Sequence, residues 1–138
     1  MQPQIIKGAI SIDERGSIKH NNGFDLSEVC RMYLIQNRDT EFIRGWKGHR
    51  IEKRWFVALS GSFTIRMVKI DNWENPSPGV AQLAFTLSSE VPDVLFSPPG
   101  YATAIQANED GAQLLTLSDY LLGATNDEQN YPADYFNF

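Results

Sequence analysis

Several ingredients are scarce in this chain. Cysteine occurs once, at Cys30, and histidine twice, at His20 and His49. A lone cysteine rules out an internal disulfide framework and fits a reducing, cytoplasmic setting. No run approaches the roughly 18 consecutive apolar residues of a membrane span. The opening residues, MQPQIIKGAISID, lack the apolar core of a secretory signal. No long stretch has the 3.6-residue period of an amphipathic helix, and there is no repeat or low-complexity segment. Basic residues are the minority charge: 12 Lys and Arg against 17 Asp and Glu give a net charge of −5. An acidic chain whose cations gather in one short stretch is not expected to bind nucleic acid.

What is present is ordinary globular composition, 42% hydrophobic and 21% charged over 138 residues. That is enough for one domain, residues 1–138, with a core of its own. Short alternating runs punctuated by Gly, Pro, Asn and Asp predict strands over 5–12, 28–36, 63–70, 80–87, 94–97, 102–106 and 112–120, beside the stretch discussed next. The segment 71–79, DNWENPSPG, reads as a loop, 17–24 as a turn-rich passage and NEDG at 108–111 as a hairpin turn. Cys30 is expected to pack in its alternating run, and His20 to lie on the surface. The tail from Leu121 is acidic and aromatic, with Tyr131, Tyr135, Phe136 and Phe138. It is expected to pack on the body or a partner, since exposed aromatics are unfavourable. About eight short strands with Gly/Pro turns indicate an all-β barrel or double-sheet jelly roll.

The chain centres on Arg44 to Gly61, RGWKGHRIEKRWFVALSG. Five of the twelve basic residues fall here, Arg44, Lys47, Arg50, Lys53 and Arg54, together with His49. A basic knot in an acidic chain suggests an anionic ligand. Alternation predicts one strand with Lys47, His49, Ile51, Lys53, Trp55, Val57 and Leu59 on one face, cationic at the mouth and apolar at the floor. Ser60-Gly61-Ser62 predicts a hairpin to Phe63–Ile70, with Gly61 left-handed and Leu59 opposite Phe63. Trp46 and Trp55 could stack on a thymine or a sugar, although Trp55 fits the core better, and Trp73 could serve as a lid or a dimer contact.

Asp13-Glu14-Arg15-Gly16-Ser17, Arg31-x-Tyr33, Arg44-Gly45, Leu59-Ser60-Gly61-Ser62 and Pro98-Pro99-Gly100, in that order, resemble the cupin-fold sugar-nucleotide enzymes. The nearest likeness is to the WxcM-like or FdtA-like dTDP-4-keto-6-deoxyhexose 3,4-ketoisomerases, with the dTDP-4-dehydrorhamnose 3,5-epimerases as relatives. The resemblance implies an RmlC-like cupin barrel that isomerises a dTDP-linked 4-keto-6-deoxyhexose in surface-polysaccharide synthesis. The proton would move from C3 to C4 through an enediol, without cofactor or metal, in a cytoplasmic homodimer whose N-terminal strands join the partner's sheet. Two other readings are open: 3,5-epimerisation, and a cupin that only binds a sugar nucleotide. The chain departs from the ketoisomerases at three places. Lys47 replaces their first histidine, Lys53 their glutamate, and Thr103 a histidine after the Pro-Pro-Gly turn. Of the four positions that hold a metal in other cupins (Lys47, His49, Lys53 and Thr103), only His49 is a ligand.

Carried onto these positions, Arg15, Arg31 and Arg44 are expected to clamp the diphosphate. Tyr33, Tyr101, Lys53 and Thr103 are expected to contact the substrate. His49, Lys47 and Tyr120 are the expected catalytic groups. His49 titrates near neutrality. Lys47 would act as base only if burial beside Lys53 and His49 removed its charge, and would otherwise be a fixed cation. Tyr120 matches a tyrosine near the end of the epimerase barrel.

Overall fold

The protein is described here as a computed structural model over residues 1–136; Phe138 of the predicted tail lies outside the described residues. The strands are β1 (Gln4–Ile6), β2 (Ala9–Asp13), β3 (Gly16–His20), β4 (Arg31–Ile35), β5 (Ile43–His49), β6 (Arg54–Ser60), β7 (Ser62–Lys69), β8 (Gln82–Ser88), β9 (Val94–Ser97), β10 (Tyr101–Ala107), β11 (Gln113–Ser118) and β12 (Glu128–Asn130). One antiparallel sheet runs β1-β9-β6-β11-β4, a second β12-β5-β10-β7-β8, and β2-β3 forms a separate hairpin. The all-β jelly roll expected from the sequence is the architecture found.

The connections differ from the expected ones. From β4 to β12 nearly every turn carries the chain from one sheet to the other. β6 therefore pairs with β9 and β11, not with β7. Gly61 is left-handed at φ 67°, as expected, but it turns a corner between sheets. A Cβ there would come within 2.7 Å of the Ala112 side chain. NEDG, likewise, links β10 of one sheet to β11 of the other instead of closing a hairpin. The run 5–12 is two strands, broken where the Gly8 N–H donates to Asp93 at 2.8 Å. The passage expected to be turn-rich contains β3, which pairs with β2 from Ala9↔His20 to Asp13↔Gly16. Cys30 is exposed, not packed.

The facing surfaces of the two sheets bury one core, including Phe56, Ala58, Phe63, Ile65, Met67, Leu95, Ile105 and Leu114. Two satellite clusters lie on the sheets' outer faces. Trp55, Phe96 and Leu117 pack under Ile6, Phe24 and Val29. Trp46, Val68, Ala102 and Ala104 pack under Phe136, Tyr131 and Tyr135 of the tail. The tail thus covers the second sheet, as expected. It also holds the loop 71–79: Tyr131 Oη and Gln129 Nε2 both donate to the Trp73 carbonyl at 2.6 Å. Trp46 and Trp55 are therefore outside the barrel, and Trp73 is a strut between loop and tail.

Register makes the interior a gradient. Across the first sheet, Ser118 faces Arg31 and Arg54, and Arg54 faces Ser97. Two residues deeper, Thr116 faces Tyr33 and Phe56; deeper again, Leu114 faces Ile35 and Ala58. Polar rows sit at one end of the barrel and apolar rows at the other, so the polar end can hold a ligand while the apolar end holds the fold together.

Candidate active site

A cavity of about 300 Å³ opens at the polar end, within the size of small-molecule sites. Its polar lining is Tyr33, Gln36, Arg44, Lys47, His49, Arg54, Ser97, Tyr101 and Thr103; Leu34, Ile35, Phe56 and Ile105 form its apolar part. Four of these side chains are cationic or can become so, and among the described residues no carboxylate lines it. An overall acidic protein has therefore turned a positive interior toward its ligand.

The strand predicted for the whole central stretch is interrupted. β5 ends at His49 and β6 begins at Arg54. The backbone N–H groups freed in between are taken by side chains from the C-terminal segment. Ile51 and Glu52 donate to Asp127 Oδ2 at 2.8 and 2.9 Å, and Lys53 donates to Asp119 Oδ1 at 2.9 Å. Such capture satisfies donors that a turn would otherwise leave unpaired. The interruption resets the alternation. Arg54, Phe56 and Ala58 face the interior, while Trp55 faces out and Leu59 is half exposed. Ile51 is exposed and Lys53 reaches Glu28 at 2.7 Å, outside the cavity. Arg54 thus takes the inward place the sequence assigns to Lys53.

Arg44 reaches the inner face by a second irregularity. β10 pairs Thr103 with Lys47 but Ile105 with Arg44, so β5 carries one extra residue between them. That bulge returns Arg44 to the side of Lys47 and His49. Its Nε donates to Asn37 Oδ1 at 3.2 Å, and its guanidinium stands 5.8 Å from the Phe42 ring.

His49 is the most constrained group. It is 7% exposed, and its Nδ1 is 3.5 Å from Glu52 Oε2 and 3.6 Å from Asp127 Oδ1. Both separations exceed hydrogen-bond length, and Nδ1 is buried without a partner. This leaves Nε2 as the nitrogen available to a ligand in the cavity. Burial first, and the Arg54 charge second, hold the His49 pKa below 6.5, against the pull of Glu52 and Asp127. The neutral imidazole is thus favoured at physiological pH, which is the form a general base needs. Burial also opposes the charge of Asp127, but the N–H groups of Glu52 and Ile51, the Thr125 hydroxyl and His49 outweigh it, and its carboxyl titrates below the usual 3.8.

Glu52 is equally enclosed. Arg54 Nη2 donates to its Oε2 at 2.6 Å and Arg54 Nε at 3.2 Å, and the Thr125 hydroxyl lies 2.9 Å from Oε1. Arg54 Nη1 donates to Tyr33 Oη. His49, Glu52 and Asp127 offer three ligand atoms within 4.8 Å, a set that the count at cupin metal positions misses. Here the Arg54 guanidinium already neutralises Glu52, Asp127 Oδ2 accepts the Ile51 and Glu52 N–H groups, and the Thr125 hydroxyl, 2.9 Å from both Glu52 Oε1 and Asp127 Oδ1, can give its one proton to either. Arg54 therefore supplies one positive charge against the two carboxylates of the set.

Of the residues the sequence singles out, the cavity brings together His49, Lys47, Arg44, Tyr33, Tyr101 and Thr103. Lys47 is 3.5 Å from Glu128 and half exposed, while Lys53 is held charged by Glu28, its pKa raised chiefly by that hydrogen bond. The burial beside Lys53 that a neutral Lys47 required is absent, because the break at 50–53 sends Lys53 outward. Arg31 stacks 4.9 Å over the Tyr33 ring without lining the cavity. Tyr120 is not in the lining either; it follows the end of β11, where Ser118 binds its backbone. Arg15 lies at the tip of the β2-β3 hairpin, paired with Asp13. Arg54, Glu52 and Asp127 escaped the sequence reading. The signal for Arg54 was present in the basic stretch, but its parity was wrong without the break. Nothing in the sequence pattern points to Asp127.

No protein-family model matches the chain, and no curated protein matches it either. Solved structures do. The dTDP-4-dehydrorhamnose 3,5-epimerase of Bacillus anthracis, with TDP and PPi bound, has a TM-score of 0.76 at 10% identity, over 96% of this chain and 79% of its own. The 3,4-ketoisomerase of Helicobacter canadensis has a TM-score of 0.68 at 21% identity, over 94% and 90%. A variant of the 3,4-ketoisomerase QdtA of Thermoanaerobacterium thermosaccharolyticum, in complex with TDP, has a TM-score of 0.69 at 22% identity, over 98% and 91%. The chain therefore has the RmlC-like cupin fold. Both dTDP-sugar epimerases and dTDP-sugar ketoisomerases are built on it.

Proposed function

We propose that the protein is a metal-independent isomerase of a dTDP-linked 4-keto-6-deoxyhexose, acting by 3,4-ketoisomerisation through an enediol. The observation that carries this is the cavity: cations without a lining carboxylate, and a neutral, buried His49 backed by two carboxylates. A diphosphate needs the first and removal of a proton next to a ketone needs the second. Arg44 and Lys47, the more exposed cations, hold the diphosphate. His49 Nε2 removes the proton from C3. Arg54, 6% exposed, faces the oxyanion that forms, where a guanidinium fixed in place by Glu52 costs no reorganisation. The cytoplasmic homodimer belongs to the same reading. Support for the dimer is the exposed apolar set on the β2-β3 hairpin, Ile10, Ile12 and Ile18, with Met32 on the edge strand β4.

Calorimetric titration with dTDP tests the ligand, and deuterium exchange at C3 of a 4-keto-6-deoxy sugar nucleotide tests the reaction. Binding with exchange is expected, and His49→Gln should abolish the exchange. Binding without exchange would leave the reading of a protein that only binds a sugar nucleotide. Failure to bind dTDP would remove both.

A further inference from the structure

We propose that Asn37, which does not line the cavity, is a positioning residue: it holds the Arg44 guanidinium in the pose that grips the diphosphate. The inference deepens the sugar-nucleotide reading of the cavity and rests on it. Asn37 is 4% exposed and lies two residues past β4, in the loop that carries the chain from the first sheet to the second. Its Nδ2 donates to the Ile105 carbonyl at 3.1 Å and lies 3.5 Å from the Phe42 carbonyl. Ile105 is the β10 residue that faces Arg44 beside the β5 bulge, so Asn37 supplies a donor where the ladder is irregular. With the amide nitrogen committed to carbonyls, the amide oxygen faces the other way, and it accepts from Arg44 Nε at 3.2 Å. The bulge that brings Arg44 inward and the residue that orients it are thus parts of one arrangement.

Arg44 itself is exposed. An exposed arginine ordinarily loses rotamer freedom when it grips a ligand, and that loss weakens binding. Here one of its five donors is already fixed by a buried group, with the Phe42 ring 5.8 Å away as a wall. Phe42 is fixed in turn, its N–H donating to Asp39 Oδ1 at 2.8 Å. Among the described residues no hydrogen bond engages Arg44 Nη1 or Nη2, so this end-on pair is free for two phosphate oxygens. Lys47 needs no such partner, because an ammonium is a point charge that binds phosphate in many orientations.

The test is calorimetric titration of the full-length protein with dTDP and, separately, with inorganic pyrophosphate. Asn37→Ala should raise both dissociation constants about two- to tenfold. The same substitution made on top of Arg44→Lys, which keeps the charge but has no Nε–H to hold, should raise neither any further. A merely structural role would weaken binding equally in both backgrounds. Should Asn37→Ala fail to fold, wild type alone decides the matter by NMR of the Arg44 Nε–H group without ligand. Its order parameter should lie near the roughly 0.85 of rigid backbone, and a value under about 0.6 would overturn the inference. Unchanged affinity in Asn37→Ala, or an equal loss in the Arg44→Lys background, would overturn it too, while dTDP binding by wild type kept the functional reading intact. A wild type that binds neither dTDP nor pyrophosphate would bring down the functional reading itself.

Discussion

Two arginine–carboxylate pairs in this molecule have the same length and opposite surroundings. Arg15 Nη2 and Asp13 Oδ2 are 2.6 Å apart, with side chains 81% and 42% exposed. Arg54 Nη2 and Glu52 Oε2 are also 2.6 Å apart, with both side chains 7% exposed. At the hairpin tip water solvates either partner alone, so the pair is a local convenience of a tight turn. Beside the cavity neither charge has water to fall back on, so each is held in place by the other. Distance alone does not separate a decorative pair from a functional one; burial and what each partner touches next do. Among the described residues Arg15 pairs only with Asp13 of its own turn, whereas Arg54 continues to Tyr33, and Glu52 to Thr125 and the neighbourhood of His49.

Breaking the buried pair should have the largest effect. Arg54→Met leaves Glu52 buried without its cation, at a cost of about 3–5 kcal/mol. The melting midpoint should fall by on the order of 10 °C. A midpoint within a degree or two of wild type would mean that Glu52 is protonated or solvated in the absence of Arg54, and that the pair is less enclosed than it looks.

Asp127 sharpens the comparison from the other side. It joins the buried group only through the tail, by accepting the Ile51 and Glu52 N–H groups that shape the break before Arg54. Asp127→Ala should cost about 1–3 kcal/mol by leaving those donors unpaired. It should also raise the dissociation constant for dTDP, since the turn that aims His49 and Glu52 loosens. Unchanged dTDP affinity in a titration would show that the tail caps the turn without organising the cavity.

The pH response follows from His49. Its folded pKa lies below the ordinary 6.5 because burial and Arg54 disfavour the imidazolium. The unfolded chain therefore binds more protons in the interval between the two values. Stability from the neutral ring is complete above about pH 6.5, is drawn down as pH falls toward the folded pKa, and changes no further below it. Proton removal by His49 should fail over the same interval, with an acid limb in kcat/KM centred below 6.5. His49→Gln should flatten the stability slope there. An acid limb centred above 6.5 would mean that Glu52 and Asp127, not burial, govern the ring.

Much of this architecture was legible in the sequence, and the illegible part has a common cause. Alternation located most of the strands but not β3 or β12, Gly61 and the Pro98-Pro99-Gly100 corner announced reversals, and the basic stretch marked the site. Turn chemistry says that the chain reverses, not which sheet receives it, so the expected pairing of Leu59 with Phe63 became a corner between sheets. Alternation is also only as good as its continuity. The break at 50–53 exchanged Lys53 for Arg54 on the inner face, and the β5 bulge brought Arg44 inward against its parity. Both irregularities concern partners distant in the chain: Asp127, Asp119 and β10. No local pattern could announce them.

The exposed pair gives the smallest expected effect. Asp13 titrates below, and Arg15 above, its ordinary value, chiefly because each hydrogen-bonds the other, yet both are open to solvent. Solvent and salt screen such a pair, and the turn keeps its shape through other contacts: β2 and β3 remain paired as far as Asp13↔Gly16. Arg15→Ala should therefore leave the melting midpoint unchanged at low and at high salt. Because its guanidinium lies outside the cavity, dTDP affinity should also be unchanged, in contrast to any substitution at Arg44 or Lys47. A stable protein that lost dTDP affinity on this substitution would contradict the comparison directly. It would place the β2-β3 tip in the cavity of a neighbouring copy, and the role that the sequence motif assigns to Arg15 would be recovered across a dimer.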